Sequence, residues 1–112
     1  MKLLIDLHSH NERQGPGGKA QTELAIYLAG LDFQVKYRIA DIGCGTGAAS
    51  LVLADTLDCD ITSVDFLQAF LGVLNDRASE AEFASRISTL CASMDDLPFE
   101  VNSYDVLWSE GA

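Results

Sequence analysis

Between residues 37 and 109 the sequence alternates short apolar segments with amphipathic ones, and this alternation limits the fold more than any other feature. Buried strands are predicted over residues 37–42, 59–65, 86–93 and 104–109. Helical periodicity fills residues 47–57, and it returns from Phe66 to about Glu80. Such an order predicts a parallel sheet with right-handed crossovers. We therefore predict an α/β, doubly wound sheet in a three-layer α/β/α arrangement with helices on both faces.

The chain is expected to divide into an N-terminal helical segment, residues 1–30, and a sheet domain, residues 31–112. Three leucines at helical spacing predict a short helix within the first ten residues. A second helix is predicted over residues 22–29, with Thr22 as its N-cap and Gly30 as its stop. Residues 11–21 contain glycines and a proline, which favours a mobile loop.

The last predicted strand would leave an apolar sheet edge bare if the sheet held only the four predicted strands. Open sheets rarely expose such an edge. We therefore expect residues 31–112 to be the N-terminal half of the fold, truncated after its fourth strand.

Net charge, hydrophobicity and cysteine content limit the classes of partner and the cellular location that we expect. The chain carries 7 basic and 17 acidic residues, a net charge of −10, and its basic residues are scattered, so no nucleic-acid partner is expected. No apolar run approaches the length of a membrane span, so no membrane association is expected. Three widely spaced cysteines without a CxxC pair favour reduced thiols, a cytoplasmic location and no structural metal. No feature of the sequence sets the oligomeric state.

The stretch "ADIGCGTGAAS" joins the first predicted strand to the helix that follows it. Asp41 ends the strand, and Gly43, Gly45 and Gly47 shape the turn. Glycines in such a turn let backbone amides approach a ligand at the helix N-terminus. In doubly wound sheets, ligands bind at this edge, outside the carboxyl ends of the strands. A tight strand-to-helix turn without a ligand is the structural alternative.

Two further strand ends carry polar residues. Asp65 ends the second strand, where a carboxylate can accept both hydroxyl groups of a ribose, although an aspartate there also serves as a helix N-cap. Ser93 and Met94 close the third strand, where backbone groups and an apolar side chain can hold an adenine ring. These residues together predict an adenosine-containing ligand.

The glycine spacing discriminates between adenosine cofactors. Dinucleotide sites typically carry GxGxxG around a pyrophosphate, whereas this chain reads GxGxG behind Asp41. A carboxylate at the mouth of the loop would repel phosphate and would suit an ammonium or sulfonium group. The pattern favours a cofactor with a cationic amino-acid tail, and a nicotinamide-dependent oxidoreductase is the alternative.

Four motifs in order resemble the class I S-adenosylmethionine-dependent methyltransferases: "IADIGCGTG", "VD", "SMDDLPF" and "YDVLWSEGA". The branch that includes the ubiquinone and menaquinone biosynthesis methyltransferases is the most similar. The resemblance implies a Rossmann-like fold, S-adenosylmethionine as cofactor, and methyl transfer to a small-molecule acceptor by in-line displacement.

The resemblance also implies which residues form the site. The cofactor would contact Asp41, Gly43, Cys44, Gly45, Gly47, Asp65, Phe66, Ser93, Met94, Asp95 and Ser109. Many relatives carry aspartate where this chain has Ser93, and Asp95 is the candidate replacement. Glu110 is a candidate general base, and its alternative is a solvated loop acid.

Two other functions fit parts of the sequence. "IDLHSHNE" resembles the metal-binding start of amidohydrolase-like barrels, with His8 and His10 as candidate ligands, but the chain has no further histidine. A cofactor-binding module without catalysis of its own would also explain a domain that stops after its fourth strand.

Overall fold

The computed structural model describes residues 3–6 and 18–109. The strands are β1 (Leu3–Asp6), β2 (Tyr37–Ile42), β3 (Cys59–Asp65), β4 (Ile87–Cys91) and β5 (Val106–Ser109). The helices are α1 (Gly18–Leu28), α2 (Ala48–Thr56) and α3 (Gln68–Glu80), and a 3-10 turn spans Val101–Ser103. All strand pairs are parallel, and the strands lie in the order β1-β5-β2-β3-β4.

The predicted α/β fold with a Rossmann-like parallel sheet is confirmed. From β2 onward, every predicted strand and helix is present, with ends that agree with the predictions within two residues. Strand order reverses beside β2, because β3 and β4 extend the sheet on one side and β5 lies on the other. A crevice for a ligand is expected at the carboxyl ends of β2 and β5, where the order reverses.

All three helices lie on one face of the sheet and share one apolar core with it. Alternate strand residues point to this face, as the two-residue period of a strand requires. The core combines Ile39, Ile61, Val106 and Trp108 from the strands with Ile26, Leu53 and Leu74 from the helices. Because all three helices bury side chains in this core, the packing fixes the position of the first turns of α2 and α3 relative to the carboxyl edge.

The other face of the sheet is covered by the connection between β4 and β5. Phe99 and Tyr104 pack together there, with ring centroids 4.9 Å apart, over Ala40 and Val64. The described residues place no helix on this face, so they form two of the three predicted layers. Pro98 and several acidic residues interrupt this connection, and it forms only a 3-10 turn.

The predicted helix at the start of the chain was wrong. Residues 3–6 form a strand that pairs in parallel with β5, from Leu3 beside Val106 to Asp6 beside Ser109. Backbone pairing with the otherwise bare edge of β5 outweighs the helical spacing of the leucines. The N-terminal segment therefore shares one sheet with the rest of the described residues.

The helix before β2 begins four residues earlier than predicted. Thr22 is not its N-cap, because it lies inside α1 and is only 1 % exposed against the core. The predicted stop is confirmed, since Gly30 follows the helix and the Leu31 amide donates to the Ile26 carbonyl at 3.3 Å. Positions 18–21 of the predicted mobile loop belong to α1 instead, and its positions 11–17 lie outside the described residues. No helix in the described ranges has both the length and the apolar content to cross a bilayer.

Candidate functional site

The glycine loop, residues 43–47, joins β2 to α2 at the carboxyl edge of the sheet. Its three glycines have φ values of +72°, +59° and +92°, in the left-handed region that side chains disfavour. A Cβ atom at Gly45 would meet no atom within 4 Å, so this residue faces open space. A Cβ atom at Gly47 would overlap Leu74 Cδ1 and lie 2.9 Å from its Cγ. Gly45 therefore leaves room for a ligand, whereas Gly47 lets α3 pack against the loop.

Four of the five amides of the glycine loop donate to acceptors within the protein. Gly43 and Cys44 both donate to the Val64 carbonyl, at 2.8 and 2.9 Å, and the Gly47 amide donates to the Cys44 carbonyl at 3.0 Å. The Gly45 amide donates to Asp65 Oδ2 at 2.9 Å. We expected the loop amides to approach a ligand. The structure differs, because the four amides named above each donate to an acceptor within the protein. The loop offers a bare backbone surface rather than a row of free donors for a pyrophosphate.

Asp65 links the glycine loop to the residue just before α3. Besides accepting from Gly45, the carboxylate accepts from the Leu67 amide through Oδ1 at 3.0 Å. The N-cap role that the sequence left open for Asp65 belongs to Leu67, and no side chain caps this helix. Since an ionised carboxylate has about four acceptor positions, two remain for further donors. The residue is 8 % exposed, and the next side chain, Phe66, is 69 % exposed beside it.

Asp41 lies under α2 rather than at the mouth of the loop, where the sequence interpretation placed it. It is 1 % exposed, and its Oδ2 accepts from Ser50 Oγ at 2.6 Å. Ser50 Oγ is also 2.6 Å from Ser63 Oγ. The strand period explains the difference, because Asp41 points to the same face as Ile39, toward the helices. Asp41 therefore joins β2, β3 and α2 through a buried polar network.

The turn after β4 lies beside the end of β3. The Ala92 amide donates to the Asp65 carbonyl at 3.0 Å, which holds the two strand ends together. Ser93 Oγ accepts from the Asp95 amide at 3.1 Å, so its first role is to close this turn. Met94 is 49 % exposed, and Asp95 is exposed as well. The turn presents an apolar and an acidic side chain at the same edge as Asp65.

Ser109 ends β5 and lies beside Ile42 of β2 and Asp6 of β1. The carboxyl end of β1 is therefore a fifth strand end at this edge, in addition to the four that were predicted. Glu110 and the histidines at positions 8 and 10 lie outside the described residues. Within residues 3–6 and 18–109, no group of three His, Cys, Asp or Glu side chains is placed to hold a metal ion.

The pKa of the Cys44 thiol indicates that the loop lies in a negative electrostatic field. Burial, and to a smaller extent the neighbouring carboxylates of Asp41 and Asp65, together raise the pKa of the thiol to about 12. The thiol is therefore protonated at neutral pH, which excludes a thiolate nucleophile there. The same negative field favours a cationic group above the loop over a phosphate.

Sequence reasoning missed the residues that support the loop. Ser50 and Ser63 hold Asp41, and Leu74 fills the space beside Gly47. Arg77 on α3 donates to Thr46 in the middle of the loop. Only the period of α3 indicates that positions 74 and 77 share a face, and that period does not indicate what the face contacts.

A family model described as a methyltransferase domain matches residues 39–112. The chain belongs to the methyltransferase domain family. The predicted membership in the class I methyltransferases is thereby confirmed, and the match includes the glycine loop, Asp65 and the turn after β4.

Two relatives of this methyltransferase domain are themselves named as methyltransferases. The 27-O-demethylrifamycin SV methyltransferase of Amycolatopsis mediterranei is 33% identical over 92 residues, which is 81% of this chain and 34% of that protein. A ubiquinone/menaquinone biosynthesis C-methyltransferase of Rhizobium rhizogenes is 32% identical over 71 residues, 62% of this chain and 28% of that protein. The domain thus spans about a third of the length of these relatives.

A solved structure with the same fold is that of a putative S-adenosyl-L-methionine-dependent methyltransferase from Methanococcus maripaludis. It superimposes with a TM-score of 0.73 at 26% identity, over 84% of this chain and 42% of that one. The methyltransferase domain described here therefore corresponds to less than half of that fold.

Proposed function

We propose that this domain binds S-adenosylmethionine at the carboxyl edge of its sheet and, in the whole protein, directs its methyl group to a small-molecule acceptor. One observation carries the proposal: four of the five amides of the glycine loop donate inward, while the space above Gly45 is open, directly beside Asp65. A dinucleotide site needs outward amides for its pyrophosphate. An adenosine cofactor with a sulfonium and an amino-acid tail needs space, a negative field and a ribose acceptor.

The residues at the edge fit such a cofactor. The methionine part would lie on the bare surface of Gly43, Cys44 and Gly45, in the negative field that the Cys44 thiol reports. The ribose hydroxyls would donate to the free acceptor positions of Asp65. The exposed side chains of Phe66 and Met94 would cover the adenine ring.

The other residues of the proposed site would support the loop, contact the adenine ring or lie near the methyl acceptor. Gly47 and Asp41 would keep the loop in place from below, through Leu74 and Ser50 respectively. Ser93 would shape the turn, Asp95 would accept from the adenine amino group, and Ser109 would lie toward the acceptor. These assignments extend the motifs of the family to the geometry of this chain.

When bound, the cofactor would supply a methyl carbon on a positive sulfonium; an acceptor nucleophile would form a bond to that carbon as the sulfur–carbon bond breaks in line, and S-adenosylhomocysteine would leave. The contribution of this chain is to hold that group in one orientation, and alignment alone can supply several kcal/mol of the barrier reduction. A general base is needed only for an acceptor that arrives protonated, and Glu110 is the candidate.

The free thiols bear on the proposed location of the protein, and the acidic net charge bears on the proposed class of methyl acceptor. Cys44, Cys59 and Cys91 are unpaired in the structure, which suits a reducing cytoplasm. The net charge of −10 disfavours a nucleic-acid acceptor and is consistent with a small molecule. A cofactor-binding module without catalysis of its own is the second candidate.

Thermal unfolding with two ligands separates the proposed site from a dinucleotide site. At about 100 times its dissociation constant, a ligand adds about 2.7 kcal/mol of stability. We expect S-adenosylhomocysteine to raise the melting temperature by several degrees and NAD⁺ at the same concentration to leave it unchanged. Stabilisation by NAD⁺ alone would refute the proposal. Methyl transfer by the isolated chain would in turn refute the non-catalytic alternative.

A further inference from the structure

Arg77 on α3 contacts the glycine loop. Its Nη1 donates to the Thr46 carbonyl at 3.1 Å and to Thr46 Oγ1 at 3.3 Å, across 31 positions of the sequence. Thr46 lies between Gly45, which faces the open space, and Gly47, which packs on Leu74. One guanidinium nitrogen thus holds both polar groups that Thr46 offers as acceptors.

The remaining contacts of the loop with this part of the chain explain what Arg77 adds. Asp65, just before α3, holds the Gly45 amide, and Leu74 limits Gly47 from the side. Thr46 is the residue between these two points, and Arg77 holds its carbonyl and its side chain. Residues 45, 46 and 47 are therefore each fixed by the stretch from Asp65 to Arg77.

Fixing this segment matters because glycine-rich backbone is expensive to order. Two flanking glycines give the Thr46 peptide groups a large conformational freedom, which a ligand must otherwise remove when it binds. A loop that is already ordered binds with a smaller entropic cost. The Arg77 side chain starts one turn after Leu74 and points back toward the N-terminus of α3, as helical side chains do.

We propose that Arg77 is a positioning residue that pre-orders the glycine loop for the adenosine cofactor. It does not touch the cofactor; it acts through Thr46. The inference rests on the proposed function, because it names a residue that sets the affinity of the same site.

Arg86 provides a matched control. It is also an arginine that donates to backbone carbonyls, those of Ala54, Leu57 and Cys59, at distances of 2.8 to 3.4 Å. These carbonyls lie at the end of α2 and the start of β3, at the opposite edge of the sheet from the glycine loop. A loss of Arg86 contacts should therefore lower stability without altering the loop.

The test compares Arg77→Gln and Arg86→Gln with the unchanged chain, by calorimetric titration with S-adenosylhomocysteine and by thermal unfolding. Arg77→Gln is expected to raise the dissociation constant about fivefold, since it removes charge-assisted hydrogen bonds that order the loop. Its melting temperature should fall less than that of Arg86→Gln. Arg86→Gln is expected to keep the affinity of the unchanged chain.

Amide hydrogen exchange without ligand gives a second measurement that does not depend on cofactor binding. The amides of residues 45–47 should exchange faster in Arg77→Gln and at the original rate in Arg86→Gln. Equal affinities and equal loop exchange in Arg77→Gln and the unchanged chain would overturn the inference. If the unchanged chain failed to bind S-adenosylhomocysteine while Arg77→Gln still loosened the loop, the proposed function would fail and the positioning role would stand.

Discussion

Replacing Asp65 with alanine is expected to weaken S-adenosylhomocysteine binding about 100-fold. Two hydrogen bonds from ribose hydroxyls to an ionised carboxylate contribute about 1.5 kcal/mol each, and about 3 kcal/mol corresponds to that loss. The substitution also frees the Gly45 amide, which donates to Asp65 Oδ2 in the unchanged chain, so the loop loses its hydrogen bond to the end of β3 as well. Calorimetric titration at constant ionic strength measures the change.

Asp60 is the matched control, because it lies on the same strand but near its amino end. Its carboxylate is exposed and forms a surface ion pair with Lys36 at 3.5 Å, a contact that contributes at most about 1 kcal/mol. Asp60→Ala should bind S-adenosylhomocysteine as the unchanged chain does. Asp65→Asn preserves the side-chain volume, so it separates charge from packing. Binding within about threefold of the original in Asp65→Asn and Asp65→Ala would remove Asp65 from the proposed site.

Replacing Gly47 with alanine is expected to destabilise the fold by about 3 kcal/mol. The added Cβ overlaps Leu74, and overpacking of this kind costs about 1 to 3 kcal/mol. The φ of +92° adds a left-handed backbone penalty of about 1 to 2 kcal/mol for any residue with a Cβ. Urea unfolding measures the loss, which is a large share of the roughly 5 to 15 kcal/mol that stabilises a typical domain.

Gly45→Ala is the matched variant for that prediction. Its Cβ meets no atom within 4 Å, so only the backbone penalty applies, about 1 kcal/mol. The Cβ enters the space proposed for the cofactor, and S-adenosylhomocysteine binding should fall at least about tenfold, as a steric clash of over 1.4 kcal/mol implies. A Gly47→Ala chain as stable as the original, or equal stability losses at both glycines, would contradict the packing described for α3.

Much of the fold from β2 onward follows from the sequence. Strand and helix periods differ clearly there, and the parallel order follows from the alternation of the two. The N-terminal strand does not follow, because four residues carry too little periodicity to outweigh a helical pattern of leucines. Its pairing with β5 depends on which edge of the sheet is free, and the local sequence does not contain that information.

The residues of the candidate site were also predictable from the sequence only in part. Asp65 and the glycine loop are predictable because strand ends and glycine spacing are local features. The strand period indicates that Asp41 is buried, because it places Asp41 on the same face as Ile39. The expected position at the mouth of the loop does not agree with that period. Ser63, Leu74 and Arg77 were not predictable, because their roles depend on contacts between β3, α3 and the loop.

The central claim is that an adenosine cofactor binds at the carboxyl edge of the sheet, over the glycine loop and beside Asp65. A titration of ¹⁵N-labelled protein with S-adenosylhomocysteine, followed by amide NMR shifts, tests it most directly. We expect the largest shifts at Gly45, Asp65, Phe66 and Met94, with little change at Asp60 and Ser88 near the amino ends of β3 and β4. Shifts centred on the amino ends, or no shifts at saturating ligand, would contradict it.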